Sequence, residues 1–272
     1  PALQVSIGVK SNDVNDLQPA SLCFRVGGVD MDKMPSVHPR GINMRAKVGD
    51  IRAKLQELKE SGTEKMPNYG GPWFCTVLND EAGIININFT RTFADASDAT
   101  SVTQTEIALR EDVFTLFEIL KKHIDGFQNS YLLYIAPAVG YRESRRIIGN
   151  YTLEVDKYID AYKFEDSVAR GAHLIDIHRA NDNKQDVQFL DKSGYIPYNC
   201  MIRSGFDNII VAGRCISVDK RSFGSTRVMG TAMALGQAAG TAAAICCESG
   251  VPTDAISVEK LRNRLIEQGA NI

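Results

Sequence analysis

The sequence of 272 residues lacks both a large excess of one charge and a recognisable arrangement of cysteines. Its formal net charge is -2 and its pI is near 6.2, so nothing attracts it globally to nucleic acid or anionic lipid. We therefore expect a small-molecule partner. The six cysteines form neither a disulfide framework nor a metal-ligand spacing, so we predict no metal site and a reducing, cytoplasmic setting.

The first residues also lack the basic start and the apolar stretch of a signal peptide. No initiator Met is present, which favours a processed or truncated chain. The segment from Val228 to Cys247 is the one candidate membrane span, because it carries no formal charge. Ala, Gly and Thr dominate it, and Gly236 and Gly240 lie one turn apart. We therefore predict a buried helix of a soluble domain rather than a membrane helix.

Alternating polarity and short apolar runs predict the strands. They span Leu3–Val9, Leu22–Val29, Trp73–Leu78, Gly83–Arg91, Tyr131–Val139, Arg142–Ile148, Ala172–His178 and Ile209–Val211. Helices are predicted over Arg45–Glu60, from Thr103 with a capping box at Glu106, from Val228, and from Ser257. Ile85, Ile87 and Phe89 alternate with polar residues, which predicts one buried strand face.

A Gly-Arg turn follows the predicted strand Ile209–Val211. Gly213 has no Cβ, so the backbone there can approach a ligand or adopt a positive φ, although an ordinary strand-to-loop glycine has the same pattern. A second turn, from Gly224 to Arg227, leads into the long helix at Val228. The free N–H groups and the positive dipole end of that helix would face an electron-rich group.

These pieces, in this order, resemble the carboxyl-terminal signature of the FAD-dependent oxidoreductases of the glutathione-reductase superfamily, in particular the bacterial xanthan-lyase-like group. The matching stretches are Ile196–Tyr198, Asp207–Ser217, Gly224–Ser225, Arg227–Met229 and Met233–Ala244, with further likeness at Phe24–Asp30, Asn88–Arg91, Gly140–Gly149 and Ile175–His178. The family usually has a basic residue where this chain has Asn199. The resemblance implies FAD as the cofactor, contacted by Gly213, Arg214, Ser217, Gly224, Ser225, Arg227, Val228 and Met229.

The resemblance also implies an α/β fold in two domains. Residues 1–195 would form a substrate-side α+β domain with a mixed sheet, and residues 196–272 the C-terminal part of a Rossmann-like FAD-binding domain. Members of the superfamily open with a G-x-G-x-x-G turn, and that pattern is absent from this sequence. The chain is therefore expected to be a fragment that holds FAD weakly, with an exposed helix face that favours homo-oligomers.

The stretch from Arg142 to Arg146 contains three arginines in five residues. In a strand, Arg142 and Arg146 share one face, while Glu143 and Arg145 share the other. Guanidinium groups here could clamp a substrate anion, with Arg142 or Arg145 as the binding residue. Ion pairs that tie the strand to its neighbours would use the same residues, and the pattern leaves both interpretations open.

Asp176 and His178 are two residues apart in the predicted strand Ala172–His178, so they share a face. A carboxylate in that position orients an imidazole, which could then act as a base opposite a flavin. A histidine with a purely structural role fits the same spacing. The function predicted from the resemblance is hydride transfer from a small organic substrate, a carbohydrate or an organic acid, to FAD. The alternative is a non-catalytic binding module or subunit on a degenerate flavoprotein scaffold.

Overall fold

The computed structural model describes residues 5–7, 17–33, 44–79, 81–179 and 185–272. In chain order the elements are β1 (Val5–Ile7), β2 (Cys23–Gly27), α1 (Met44–Glu60), β3 (Tyr69–Asn79), β4 (Ile84–Thr90), α2 (Ala99–His123), β5 (Tyr131–Ile135), β6 (Arg145–Ile147), α3 (Val155–Ile159), β7 (Ser167–Gly171), β8 (Ile175–His178), β9 (Gln185–Gln188), β10 (Gly194–Pro197), α4 (Lys220–Thr226), α5 (Met229–Ser249) and α6 (Val258–Glu267). The mixture of helices and sheets confirms the predicted α/β class.

The chain divides into two compact units, each built from separate segments of the sequence. One, here called the sheet unit, comprises Gln18–Tyr141 with Arg179–Lys184. The other, the paired-strand unit, comprises Pro1–Leu17, Arg142–His178 and Gln185–Ile272. Hydrophobic periodicity shows where an element lies in the sequence but not which distant segments join it, so a domain built from separate segments leaves no local signal.

The sheet unit is built on four strands in the order β3-β4-β2-β5. All three pairings are antiparallel, so the mixed strand directions predicted for this region are not seen among these strands. The predicted hairpin is confirmed as β3 and β4. Ile85, Ile87 and Phe89 are fully buried, as their alternation predicts, and they pack with residues of α1 and α2 in one core.

The start of α2 corrects the sequence-based prediction. The helix begins at Ala99, one turn before Thr103, because the Asp98 side chain accepts a hydrogen bond from the Ser101 N–H at 2.8 Å. Glu106 forms no capping box with Thr103. Its carboxylate instead accepts from the Val139 N–H at 2.7 Å, which ties the helix to the end of the segment after β5.

Three two-stranded antiparallel sheets, β1-β6, β7-β10 and β8-β9, provide the strands of the paired-strand unit. In β7 and β10, Gly171 lies directly opposite Gly194. The two missing side chains leave room for Tyr158 of α3, which is fully buried: a Cβ added at Gly171 would lie 2.2 Å from its hydroxyl, and one at Gly194 would lie 2.3 Å from its ring. Helices α5 and α6 pack against β7 to complete the core.

Two predicted strands of this unit are shorter or absent. The stretch Arg142–Ile148 is a strand only over Arg145–Ile147. Ile209–Val211 forms no strand, and the backbone bond that holds it runs from Val211 N to the Met201 carbonyl at 2.8 Å. A strand forms only where a neighbouring strand offers a continuous ladder of donors and acceptors, and Ile209–Val211 does not meet one in the described part of the chain.

Helix α5 keeps one face exposed along its length. Met229 and Met233 are 80% and 71% exposed, and Cβ atoms added at Gly236 and Gly240 would meet nothing within 4 Å. Its other face, including Leu235 and Ala238, is buried in the core. Among the described helices, α5 alone is long and apolar enough to cross a membrane by length and composition.

Candidate functional site

Gly213 lies at a tight turn against the first turns of α5. Its φ of +67° is one that residues with a side chain rarely adopt, and a short 3-10 helix, Gly213–Cys215, begins there. A Cβ added at Gly213 would lie 3.6 Å from the Ala232 Cβ and would meet no other atom within 4 Å. The positive φ that the sequence pattern allowed at Gly213 is therefore present. Arg214 is exposed beside it.

The amino end of α5 is open. Val228 occupies the N-cap position, and no side chain there caps the helix. Met229 and Gly230 are exposed, and a Cβ added at Gly230 would meet nothing within 4 Å. The first N–H groups of a helix have no partner within the helix, and they carry the positive end of its dipole. This end of α5 thus presents donors to whatever lies in front of it.

Helix α4 leads into the turn before α5, and its buried residues anchor that turn to the core. Asp219 caps α4 by accepting from Ser222 N at 2.7 Å. Gly224 is buried where α4 meets β8, and a Cβ there would lie 3.1 Å from the Asp176 nitrogen. Ser225 is also buried, and its hydroxyl lies 3.0 Å from the Tyr158 hydroxyl. Both residues therefore build the support of the turn.

The side chain of Ser217 also points inward. It is buried, and its hydroxyl lies 2.8 Å from the Thr152 hydroxyl. Its backbone N–H donates to the Cys200 carbonyl at 2.9 Å, and its own carbonyl accepts from Leu153 at 3.0 Å. Of the eight residues expected to contact the cofactor, Ser217, Gly224 and Ser225 are thus engaged in packing. Gly213, Arg214, Val228 and Met229 lie at the open side, and Arg227 links the two groups.

Asp176 is the centre of a buried polar cluster next to α4. Its Oδ2 lies 3.0 Å from His178 Nε2 and 3.0 Å from Arg227 Nη2, and its Oδ1 accepts from the Gln185 amide. Burial raises the pKa of the carboxyl, but the His178 and Gln185 hydrogen bonds and the Arg227 charge outweigh it and lower the pKa to about 2. The carboxylate is therefore charged and fixed. The predicted contact between Asp176 and His178 is present.

Two polar groups at the entry to α5 have unused hydrogen-bonding capacity. Thr226 Oγ1 and Arg227 Nε are buried and have no hydrogen-bond partner in the described structure. Burial lowers the pKa of the Arg227 guanidinium, although the Asp176 carboxylate beside it favours the charged form. Buried donors without hydrogen-bond partners are rare in native proteins, and a functional role is one of the recognised reasons for them.

The arginines after Tyr141 do not share faces as a continuous strand would require. Glu143 and Arg146 are both buried and form an ion pair with each other, and the Arg146 guanidinium lies over the Phe223 ring at 4.7 Å. This corrects the predicted separation of Arg146 from Glu143: residues 142–144 are not in a strand, so the alternation does not extend through them. Arg145 is exposed and Arg142 half-buried.

A family model described as FAD dependent oxidoreductase matches residues 3–265 of the chain. The chain belongs to this family. No curated protein and no solved structure matches it. FAD is the cofactor of the family, and the site geometry fits a flavin at three points: the open Gly213 turn, the uncapped end of α5, and the unsatisfied donor on Arg227.

Several residues that build this site gave no signal in the sequence. Tyr158, Gly171 and Gly194 interlock only because β7 pairs with β10. Gln185 reaches Asp176 because β9 pairs with β8. Gln185 could have been expected as a partner of Asp176 only once that strand pairing was known. The glycines would have required knowledge of the register.

Proposed function

We propose that this chain takes part in hydride transfer from a small organic substrate to FAD, as part of a complete FAD-dependent oxidoreductase. The observation that carries the proposal is the open, uncapped amino end of α5 beside the Gly213 turn. FAD supplies the acceptor for the hydride, and Gly213 and Val228 to Gly230 would border its flavin ring. The 272 residues contain no G-x-G-x-x-G pattern, so the proposal assigns them no pyrophosphate contact.

The role of α5 in this chemistry is electrostatic. Reduction adds negative charge to the flavin, and fixed N–H donors with the positive end of a helix dipole stabilise negative charge without reorganising. Stabilising the reduced state raises the tendency of the flavin to accept a hydride. Arg227 adds a positive charge at the same helix end, held in place by Asp176.

His178 is the proposed base, and Arg142 or Arg145 the proposed substrate-binding residue. The support for His178 is its hydrogen bond to Asp176, which fixes the orientation of the imidazole. Exposed Arg145 and half-buried Arg142 are available in part to solvent. The substrate would be a carbohydrate or an organic acid. A non-catalytic binding module would bind flavin without any substrate-dependent reduction.

Gly230→Asp tests the placement of the flavin. Position 230 is exposed and open, and an acidic residue in the first turn of a helix stabilises that helix, so the fold should be retained. A negative charge there should nevertheless weaken flavin binding and lower the flavin reduction potential in the complete protein. Gly236→Asp, at an equally open position further along α5, is the matched control. Equal flavin affinity in both variants would rule out this placement.

His178→Gln tests the proposed base separately. In the complete protein, the variant should bind flavin normally and show slower substrate-dependent flavin reduction. Arg145→Gln should raise the substrate KM more than it lowers kcat. An unchanged rate of flavin reduction in His178→Gln would remove this residue from the chemistry.

The exposed face of α5 supports a further proposal, self-association. Large exposed apolar patches are unusual on monomers, and this face carries Met229 and Met233. Sedimentation of the purified chain should show a dimer or a larger species, and Met233→Glu should shift it toward monomer. A monomeric wild-type chain at high concentration would contradict this proposal.

A further inference from the structure

In the sheet unit, the guanidinium of an arginine lies over the ring of the single tryptophan of the sequence. The Arg52 guanidinium carbon is 4.0 Å from the centroid of the Trp73 ring. Arg52 is on α1, beside the buried Ile51 and Leu55, and Trp73 is on β3, which packs against that helix. At this distance the positive charge interacts favourably with the face of the indole.

Two hydrogen-bond donors of this arginine are unused. Arg52 Nε and Nη2 are both closed to solvent and have no hydrogen-bond partner in the described structure. These two N–H groups lie in the guanidinium plane, point in the same direction and form the side-on fork that binds a carboxylate through two parallel hydrogen bonds. Burial without an anion also lowers the pKa of Arg52. Two buried N–H donors without acceptors carry a free-energy cost that a bound anion would remove.

Helix α1 supplies no such anion. The residues one turn from Arg52 on its own helix are Val48, Gly49, Leu55 and Gln56, none of which is acidic. The nearby Lys54 and Glu57 are paired with each other at 3.0 Å. Gly71 makes room for Trp73, because a Cβ at Gly71 would lie 2.8 Å from the indole Cδ1.

We propose that Arg52 and Trp73 form a binding site for the carboxylate of a small organic acid. The carboxylate would lie in the guanidinium plane and accept both hydrogen bonds of the fork. Trp73 is 37% exposed, so the pair lies at the edge of the solvent, and binding requires a shift of the flexible Arg52 stem that presents the buried fork to the carboxylate. The assignment of this acid as the substrate rests on the proposed function; the binding itself does not.

Tryptophan fluorescence tests the site directly, because the signal comes from Trp73 alone. The purified chain, without flavin, is titrated with malate, with glucose, and with chloride and phosphate at matched ionic strength. Malate should give a saturable change in Trp73 emission that the other solutes do not reproduce. Equal responses to malate and chloride would overturn the proposal, and a phosphate response as strong as that to malate would overturn the carboxylate assignment.

Arg52→Lys keeps the charge but loses the fork, so the malate affinity should fall about 10- to 100-fold. The matched control is Arg25→Lys. Arg25 also lies over an aromatic ring, that of Tyr134 at 5.5 Å, but its Nε already donates to Asn86 at 2.8 Å. This control should bind malate like the wild type. Unchanged affinity in a folded Arg52→Lys would overturn the proposal, and the wild-type titrations decide it if that variant does not fold.

The same titration separates this inference from the proposed function. A malate response that persists in a complete protein without substrate-dependent flavin reduction would leave the carboxylate site intact and remove the redox role. Flavin reduction by a neutral substrate, with no malate response at Trp73, would support the redox role and rule out the carboxylate site.

Discussion

Arg227 is bound to Asp176 at two points: Nη2 donates to the carboxylate Oδ2 at 3.0 Å and to the main-chain carbonyl at 3.2 Å. One guanidinium therefore fixes both the side chain and the backbone of β8. The same carboxylate orients His178, so the entry to α5 and the proposed base share one buried anion. Because the three side chains share this anion, the loss of one member should weaken the hydrogen bonds of the others.

The first prediction concerns Asp176→Asn. The change leaves Arg227 charged and buried without its counter-ion, and the loss of one partner of a buried pair costs about 3–5 kcal/mol of unfolding free energy. Urea unfolding at neutral pH measures it. The double variant Asp176→Leu with Arg227→Met should be less destabilised than Asp176→Asn alone, because it leaves no unpaired charge. A more severe loss in the double variant would contradict this account.

The pH dependence of the same pair gives an independent check. The pKa of Asp176 is lowered from 3.8 to about 2 in the folded chain, so its contribution to stability is present above 3.8 and is lost as pH falls toward 2. The difference in unfolding free energy between wild type and Asp176→Asn should therefore shrink by about 1 kcal/mol from about pH 5 to about pH 3. A constant difference would show that Asp176 titrates normally.

The second prediction concerns the two glycines that face Tyr158. Gly171→Ala and Gly194→Ala should each destabilise the chain by about 1–3 kcal/mol, because the added methyl overlaps the tyrosine. The overlaps differ: the methyl at position 171 meets the hydroxyl, and the methyl at position 194 meets the ring. Tyr158→Phe should therefore rescue Gly171→Ala and leave Gly194→Ala unrescued. Double-mutant cycles from urea unfolding measure the two couplings.

Local patterns were sufficient to predict the elements whose signal is contained in a few consecutive residues. The alternation of Ile85, Ile87 and Phe89 correctly predicted β4. The helix predicted from Ser257 is confirmed as α6, with Ser257 at its N-cap. The contact between Asp176 and His178 was also accessible, because residues two apart in a strand share a face.

Features that depend on contacts between distant segments could not be predicted from the sequence. Arg227 and Asp176 are 51 residues apart, and no sequence pattern around either residue predicts that they pair. Glu143 and Arg146 were predicted on opposite faces, yet they pair because the strand begins only at Arg145. Strand length is set by the neighbouring ladder, and among the described residues three residues of β1 pair with β6. The length of a strand, and hence which side chains share a face, therefore depends on tertiary strand pairing, which the alternation of residues alone does not reveal.

The third prediction concerns Asp112 on α2. Burial, with a smaller effect of the Glu111 charge, raises its pKa from 3.8 to about 6, so the charged form is disfavoured in the folded chain. Asp112→Asn should therefore stabilise the chain by about 1 kcal/mol at neutral pH, after allowance for partial exposure. The gain should disappear as pH falls from about 6 to about 4, where the wild-type carboxyl becomes neutral. Glu111→Gln is the control and should change stability by less.

The final prediction separates Arg146 from Arg145, two neighbours with opposite environments. Arg146 is buried against Glu143 and Phe223, so Arg146→Met should cost about 3–5 kcal/mol of unfolding free energy by breaking the buried ion pair with Glu143. Arg145 is exposed, so Arg145→Met should change stability by no more than about 0.5 kcal/mol.

Because these two substitutions remove the same side chain from adjacent positions, stability and substrate affinity can be measured on matched proteins. A large loss of stability in Arg146→Met, with a loss of substrate affinity but no loss of stability in Arg145→Met, would assign structure to one arginine and binding to the other. The double variant Glu143→Leu with Arg146→Met should recover part of the lost stability, since it also removes the buried Glu143 carboxylate, which loses its bond to Arg146 in the single variant. Equal stability losses in the two single variants would show that burial does not distinguish these arginines.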